Sequence, residues 1–160
     1  MIIVVMGVTG AGKTTVGRLL AEELGWEFED GDDFHPAASV EKMRRGIPLN
    51  EDDRRPWLEQ LRGEISRHDA EGWNLVLACS ALKKEYRRML AVSASVKFVY
   101  LKGEARLIAE RLRMRRGHFA GETILAAQFA DLEEPESAVV VDIGATPQEM
   151  VNEIRKKLGV

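Results

Sequence analysis

The chain has 160 residues, of which 45% are hydrophobic and 31% charged, as is typical of one compact globular domain spanning residues 1–160. Its net charge of -3, from 23 basic and 26 acidic residues, argues against nucleic acid or an anionic membrane as a partner. A lone Cys79 excludes an intramolecular disulfide. Since the sequence also lacks a secretory signal and an apolar run of about 20 residues, we expect a cytoplasmic protein.

The predicted elements alternate between strands and helices along the chain. Apolar runs rich in β-branched residues predict strands buried on both faces, and periodic apolar positions between them predict helices. In chain order, the segments are a strand at 1–6, a helix at 13–24, a strand at 26–28, a charged helical insert at about 36–71, a strand at 74–79, a helix at 82–90, a strand at 96–101, a helix at 104–116, a glycine-bounded loop at 117–121, a helix at 123–132, a strand at 138–143, and a last helix from Thr146 to Gly159. This order predicts an α/β fold, a five-stranded parallel sheet with helices on both faces.

A phosphate-binding pattern, G-x-x-x-x-G-K-[ST], lies between the first strand and the first helix. Its glycines allow backbone N–H groups to surround phosphate oxygens at a helix N-terminus. Lys13 is expected to reach the β- and γ-phosphates, and the Thr14 hydroxyl to ligate Mg²⁺. The predicted nucleotide-binding residues here are Gly7, Val8, Thr9, Gly10, Ala11, Gly12, Lys13, Thr14 and Thr15. A chance glycine-rich turn is the alternative, which the position between a buried strand and a helix disfavours.

Other classes of phosphate-loop protein fit the sequence less well. Small GTPases need an Asn-Lys-x-Asp motif, and no asparagine of this chain precedes a lysine. Transport ATPases place a metal-binding aspartate after a central strand. Asp142 lies near the end of a predicted strand, but that strand comes last in the chain, so we interpret Asp142 as a strand-end cap or a turn residue.

Two carboxylates, Asp30 and Asp32, follow the second predicted strand. If the strand continues, both point the same way, toward the edge that carries the phosphate loop. One could order water around Mg²⁺ and the other accept a proton from an attacking hydroxyl. The alternative is a solvated acidic turn. His35 could bind the substrate or cap the helix that begins near Pro36.

Basic residues are far more numerous than one site needs, and most are expected on solvated surfaces. Arg111 and Arg115 share a helix face before the glycine-bounded loop, which could close over a nucleotide as a lid. His118 lies in that loop. Lys83 and Arg87 are predicted to share another helix face, where a substrate anion could bind. Cys79 is expected to be a buried, inert thiol.

Taken together, these segments resemble the gluconokinase family of small P-loop carbohydrate kinases. The resemblance runs from residue 6 to about 151, and the blocks that carry it are residues 6–14, 30–36, 48–58, 79–87, 98–103, 115–119 and 128–135. It implies a P-loop kinase three-layer sandwich with a substrate-binding insert at about 36–71 and a lid at about 115–123. The implied activity is ATP-dependent phosphorylation of D-gluconate at its 6-hydroxyl with Mg²⁺.

The resemblance also implies roles for individual residues. The implied catalytic residues are Lys13, Asp32 as base, and Arg115, and the implied Mg²⁺ residues are Thr14 and Asp30. Arg111 and Pro147 would lie on the nucleotide side. The implied substrate contacts are Asp32, His35, Arg54, Ser80, Lys83, Arg87 and His118. A homodimer is implied as well. The chain departs from the family pattern at Glu51, where aspartate is frequent, and at Arg116, where lysine is common.

Two other functions stay open at this point. One is a sibling kinase that acts on shikimate or a nucleoside monophosphate. The other is a nucleotide-dependent binding protein that hydrolyses slowly and signals by conformation, which needs neither a carboxylate pair nor a second anion site.

Overall fold

A computed structural model describes residues 1–116 and 120–160. The predicted sheet is confirmed: five parallel strands stand in the order β2-β3-β1-β4-β5. The strands are β1 Ile2–Met6, β2 Glu27–Asp30, β3 Leu75–Ala78, β4 Val96–Lys102 and β5 Val139–Asp142. Because all are parallel, their carboxyl ends lie at one edge, where α/β sheets bind ligands.

Seven α-helices lie in the described part of the chain, at the predicted places. They are α1 Lys13–Leu24, α2 Ala37–Arg44, α3 Glu51–Glu71, α4 Lys84–Leu90, α5 Ala105–Arg116, α6 Ala120–Asp131 and α7 Pro147–Leu158. The insert is helical, as predicted, and consists of α2 and α3. None of the helices described is long and apolar enough to span a bilayer.

Helix α6 begins earlier in the chain than the sequence predicts. Helix α5 continues to Arg116, and α6 begins at Ala120 rather than near residue 123. Gly121 therefore lies in the first turn of α6. Glycine has a low helix propensity, which the tertiary context overrides here. His118 lies outside the described residues.

Alternation along β1 builds two hydrophobic cores, one on each face of the sheet. Ile3 and Val5 pack into the core that α1, α5, α6 and α7 cover, while Ile2, Val4 and Met6 pack into the core under α3 and α4. The strand is completely buried because both faces are covered. This confirms the three-layer arrangement of helices, sheet and helices.

Gly31 joins the sheet to the insert at a point too tight for a side chain. A Cβ atom there would lie 2.7 Å from the carbonyl oxygen of Ala78. The Gly31 carbonyl also accepts a hydrogen bond of 2.7 Å from the indole N–H of Trp57 on α3. The backbone after β2 is therefore held between β3 and the insert.

We expect Gly31→Ala to lower the free energy of unfolding by about 1–3 kcal/mol, because the added methyl group must displace backbone. Urea denaturation measures the change. Gly63→Ala is the matched control, since Gly63 is exposed on α3 with open space at its Cβ position, and it should stabilise by about 0.5–1 kcal/mol. Equal stability of both variants would contradict the packing argument.

Candidate active site

The phosphate loop after β1 has the backbone that its glycines allow. Gly7, Gly10 and Gly12 have φ angles of 150°, 79° and 98°, a region that disfavours side chains. The turn directs the N-terminus of α1 toward the carboxyl edge of the sheet. Lys13 Nζ donates a 2.9 Å hydrogen bond to the Val8 carbonyl. This loop forms a cradle for phosphate oxygens.

The remaining loop residues divide into buried and exposed ones. Val8 and Ala11 are buried and shape the turn, whereas the Thr15 side chain is exposed in the first turn of α1. The Thr9 N–H donates to Oε1 of Gln128 at 2.6 Å. Helix α6 is thereby tied to the phosphate loop, through a residue that the sequence did not single out.

Asp30 connects the phosphate loop to the segment that carries Asp32. The Thr14 hydroxyl donates to Asp30 Oδ2 at 2.8 Å, and the Asp32 N–H donates to Asp30 Oδ1 at 3.0 Å. The expectation that strand geometry aligns both carboxylates is wrong, because β2 ends at Asp30 and Gly31–Phe34 forms a 3₁₀ turn. Asp30 caps that turn, as a short acidic side chain can.

The Thr14 and Asp30 side chains fit a Mg²⁺ ion by their chemistry. A hydroxyl and a carboxylate, already 2.8 Å apart, supply the hard oxygen donors that Mg²⁺ prefers, directly or through its waters.

Burial lowers the pKa of Lys13, while the carboxylates of Asp32 and Asp30 oppose that shift. The positive charge of Lys13 and the negative charges of Asp32 and Asp30 therefore interact across the crevice.

Asp32 extends into solvent beside a fixed imidazole. Its side chain is 72% exposed, and Oδ1 lies 3.7 Å from Nε2 of His35. His35 is 96% covered and stacks on Trp57 with ring centroids 4.4 Å apart. The alternative of His35 as a helix cap is wrong, since Pro36 precedes α2 at that position. Asp32 is therefore accessible to the hydroxyl group of an acceptor substrate. It lies beside the His35 ring, which stacking on Trp57 holds in place.

The protonation of His35 is set by its surroundings. Burial lowers its pKa and Arg54 contributes in the same direction, while Asp32 and Asp30 oppose the shift. Its Nδ1 atom is buried and has no hydrogen-bond partner among the residues described. A neutral imidazole beside Asp32 can accept or donate a hydrogen bond to a polyhydroxylated ligand.

A cationic cluster, which we define as Arg54 and Lys83 with Glu51, Tyr86 and Asp131, joins α3 to α4 and α6. Arg54 donates to Asp131 at 2.7 Å and to the Tyr86 hydroxyl at 3.0 Å. Glu51 Oε1 accepts hydrogen bonds from Lys83 at 2.8 Å and from Tyr86 at 2.6 Å. These donors lower the pKa of Glu51, the Lys83 bond first. Arg54 Nη1 also lies 3.5 Å from the same Glu51 oxygen, so two predicted substrate cations meet at one carboxylate oxygen.

Sequence reasoning missed three members of this cluster. Glu51 and Asp131 look like ordinary solvated charges at helix ends, and Tyr86 like a packing residue. The one available signal was spacing, since Tyr86 lies three residues after Lys83, the N-cap of α4, and therefore about one helical turn from it. Asp131, the partner of Arg54, lies 77 residues farther along the chain. No local sequence pattern can reveal a pair so far apart.

Arg87 is buried, and backbone carbonyls bind its guanidinium. Its guanidinium donates to the carbonyls of Ala81, Leu82 and Glu133 at 2.8, 2.9 and 2.7 Å. Lys83 precedes α4 as its N-cap, so the expectation that both share a helix face toward one anion is wrong. Arg87 instead holds the turn after β3, where Ala81 has a φ of 44°.

The same turn contacts the phosphate loop. The Gly7 N–H lies 3.3 Å from the Ser80 carbonyl oxygen, which places Ser80 at the crevice. Cys79, at the end of β3, is buried, and burial raises the pKa of its thiol to about 12. The prediction of a buried thiol is confirmed, and its inertness stays a prediction.

The predicted nucleotide side joins α5 to the segment after β5. Arg111 donates to the Ile143 carbonyl at 2.9 Å, and Pro147 begins α7 behind the Thr146 cap. Asp142, the last residue of β5, accepts the Gly144 N–H at 2.7 Å, which agrees with its interpretation as a strand-end cap. Arg115 lies in the last turn of α5, and its catalytic role stays a prediction.

The fold and the phosphate-loop site define a small-molecule P-loop kinase, and residues 9–158 match the family model for shikimate kinase. A probable gluconokinase from Xenopus tropicalis is 42% identical over 96% of this chain and 91% of its own length. The thermoresistant gluconokinase of Escherichia coli K12 is 42% identical over 89% of this chain and 84% of its own length. The chain belongs to the gluconokinase family.

A solved structure agrees with this membership. The gluconokinase of Sinorhizobium meliloti 1021 superimposes with a TM-score of 0.87 at 41% identity, over 98% of this chain and 90% of the other. The family resemblance derived from the motif blocks is confirmed, as is its consequence that the protein is a kinase.

Proposed function

We propose that the protein transfers the γ-phosphoryl group of ATP to the 6-hydroxyl of D-gluconate. The observation that carries this proposal is the arrangement at the carboxyl edge of the sheet. At one end lie Lys13, the Thr14–Asp30 pair and Asp32, where the phosphate groups would bind and react. At the other end lies the cationic cluster, which would bind a carboxylate. Gluconate is a sugar acid whose carboxylate lies at the opposite terminus from its 6-hydroxyl, so it matches two such ends.

Each residue then has a role in transfer. The loop N–H groups and Lys13 hold the phosphates, and Asp32 accepts the proton as the hydroxyl oxygen attacks phosphorus. Thr14 and Asp30 would hold Mg²⁺, which when bound neutralises phosphate charge. Arg115 and His118 are proposed to approach the transferred phosphoryl group from a lid at about 115–123. Arg111 and Pro147 are proposed to flank the nucleotide.

On the acceptor side, the insert at about 36–71 is proposed to bind the sugar acid. Arg54 and Lys83 would hold its carboxylate, and His35 and Ser80 would contact hydroxyl groups. Arg87, whose donors engage backbone carbonyls, would act by holding the turn that carries Ser80.

Glu51 would compete with the carboxylate of the substrate, because its Oε1 already occupies the donors of Lys83 and Tyr86. We therefore expect Glu51→Gln to lower the KM for gluconate about two- to fivefold, the range of an exposed ion pair, with kcat little changed. Steady-state kinetics measure this. Asp52→Asn, an exposed neighbour, should leave KM unchanged. A raised KM in Glu51→Gln would mean that Glu51 binds or orients the substrate.

The function is tested by measuring ADP release with purified protein, ATP and Mg²⁺ across a panel of acceptors. Gluconate should support turnover far better than shikimate or nucleoside monophosphates. Shikimate is the second candidate because of the family model, and it too is a hydroxylated carboxylic acid. Preference for shikimate would replace the proposal, and absence of stimulation by every acid would favour a nucleotide-dependent binding protein.

Assembly and location follow from the family resemblance. We propose a homodimer in the cytoplasm, with no nucleic acid or membrane as partner, in keeping with the net charge of -3. Light scattering measures the mass directly, and a species of twice the 17.9 kDa chain mass is the expected result.

A further inference from the structure

A histidine–carboxylate cluster, which we define as Glu27, Glu29 and His68, lies between β2 and α3. Glu27 and Glu29 are two residues apart on β2 and so point to the same side of the strand. Their oxygens and the His68 ring nitrogen lie within 4.8 Å of one another. No step of phosphoryl transfer uses these side chains, and the function proposed above is independent of them.

The hydrogen bonds of His68 orient it as a ligand. Nδ1 lies 3.0 Å from the carbonyl oxygen of Glu64, which can only accept, so Nδ1 carries a proton. Nε2 lies 3.0 Å from Oε2 of Glu27, a contact that is a hydrogen bond only when Nε2 is protonated as well, so a metal ion bound there would replace that proton. Metal-binding histidines characteristically donate one ring N–H to a carbonyl or carboxylate and use the other nitrogen as ligand. The ring is completely buried, so this orientation is fixed by packing.

Three carboxylates, those of Glu27, Glu29 and Glu64, meet two groups that can carry a positive charge, Arg67 and the His68 imidazole. Glu64 adds a third carboxylate, 3.4 Å from His68 Nδ1, and pairs with Arg67. Oε2 of Glu29 is buried, yet residues 1–116 and 120–160 supply it with no hydrogen-bond partner. Burial raises the pKa of Glu29 to about 7, because an ionised carboxylate oxygen without a partner is costly in a buried position. A cation between the two glutamates and the imidazole would satisfy it, and the half-exposed Glu27 side chain leaves a path from solvent.

We propose that Glu27, Glu29 and His68 bind a divalent transition-metal ion, with Zn²⁺ as the best fit. One imidazole nitrogen and two carboxylates suit Zn²⁺, whereas Mg²⁺ prefers oxygen ligands alone. Metal–ligand distances of about 2.0–2.2 Å require the glutamate side chains to close slightly around the ion. The ion would tie the edge strand β2 to the C-terminal half of α3. Because binding favours the folded chain, it would act as a structural site.

The test uses the full-length, EDTA-treated and nucleotide-free protein, titrated with Zn²⁺ by calorimetry in excess Mg²⁺. The excess Mg²⁺ occupies all-oxygen sites such as that of Thr14 and Asp30. We expect one equivalent of Zn²⁺ to bind and, at a hundredfold excess over Kd, to raise Tm by roughly 5–10 °C.

Glu27→Gln should weaken Zn²⁺ binding at least tenfold and abolish the rise in Tm. Its side chain is 52% exposed, so the substitution leaves the core intact. Glu59→Gln, an exposed glutamate of the same helix α3, is the matched control and should bind as the unaltered chain does. His68→Gln should also lose binding, with circular dichroism to check folding. No stoichiometric binding, or equal binding by Glu27→Gln and Glu59→Gln, overturns the proposal.

Discussion

Replacing Asp32 by asparagine is expected to reduce kcat by about 10²–10⁴-fold, the usual contribution of a general base. The amide keeps the size of the side chain but cannot accept the proton of the 6-hydroxyl. ATP affinity should change little, because the loop N–H groups and the Thr14–Asp30 pair remain. Steady-state kinetics and nucleotide titration measure the two quantities separately.

Asp33→Asn is the matched control for this variant. Asp33 is the next residue, is also an aspartate and is exposed, yet nothing assigns it to the reaction. It should retain nearly full kcat. Near-normal turnover in Asp32→Asn would remove Asp32 as the base. A loss of ATP binding in step with kcat would instead mean that Asp32 acts on the metal–nucleotide complex.

Replacing Arg54 by methionine is expected to affect both stability and acceptor binding. The guanidinium is largely buried and bonds to Asp131 and Tyr86 at 2.7 and 3.0 Å, so its removal leaves the Asp131 carboxylate without this partner, whereas Tyr86 keeps its bond to Glu51. Breaking a buried pair costs about 3–5 kcal/mol, and since Asp131 is 28% exposed, we expect about 2–3 kcal/mol in urea denaturation. The KM for gluconate should rise at least tenfold, because a charged donor to the carboxylate is lost.

Asp131→Asn separates these two effects. It weakens the tie between α3 and α6 but keeps the Arg54 cation in the site. If Arg54 binds the substrate, Asp131→Asn lowers stability while KM stays close to that of the unaltered chain. If Arg54 serves only to hold α6, both variants raise KM by the same factor. The double variant gives the coupling energy of the pair, expected at about 1–3 kcal/mol.

Local sequence patterns predicted most of the framework. The alternation along Ile2–Met6, the glycines of the phosphate loop and the Thr146–Pro147 start of α7 are each determined by neighbours a few residues away. The site was predicted less completely. Asp30 and Asp32 were placed at the right edge of the sheet for a partly wrong reason, since a 3₁₀ turn replaces the expected strand.

The sequence by itself determined the sheet, the phosphate loop and the family, because those depend on periodicity, spacing and motif blocks. Only the tertiary structure decided which partners the charged side chains of the site have. Arg54 meets Asp131 across 77 positions, Arg87 turns inward to three carbonyls, and Glu51 gathers Lys83 and Tyr86. A charged side chain takes whichever partner the packed helices bring within about 3 Å, and no local pattern encodes that choice.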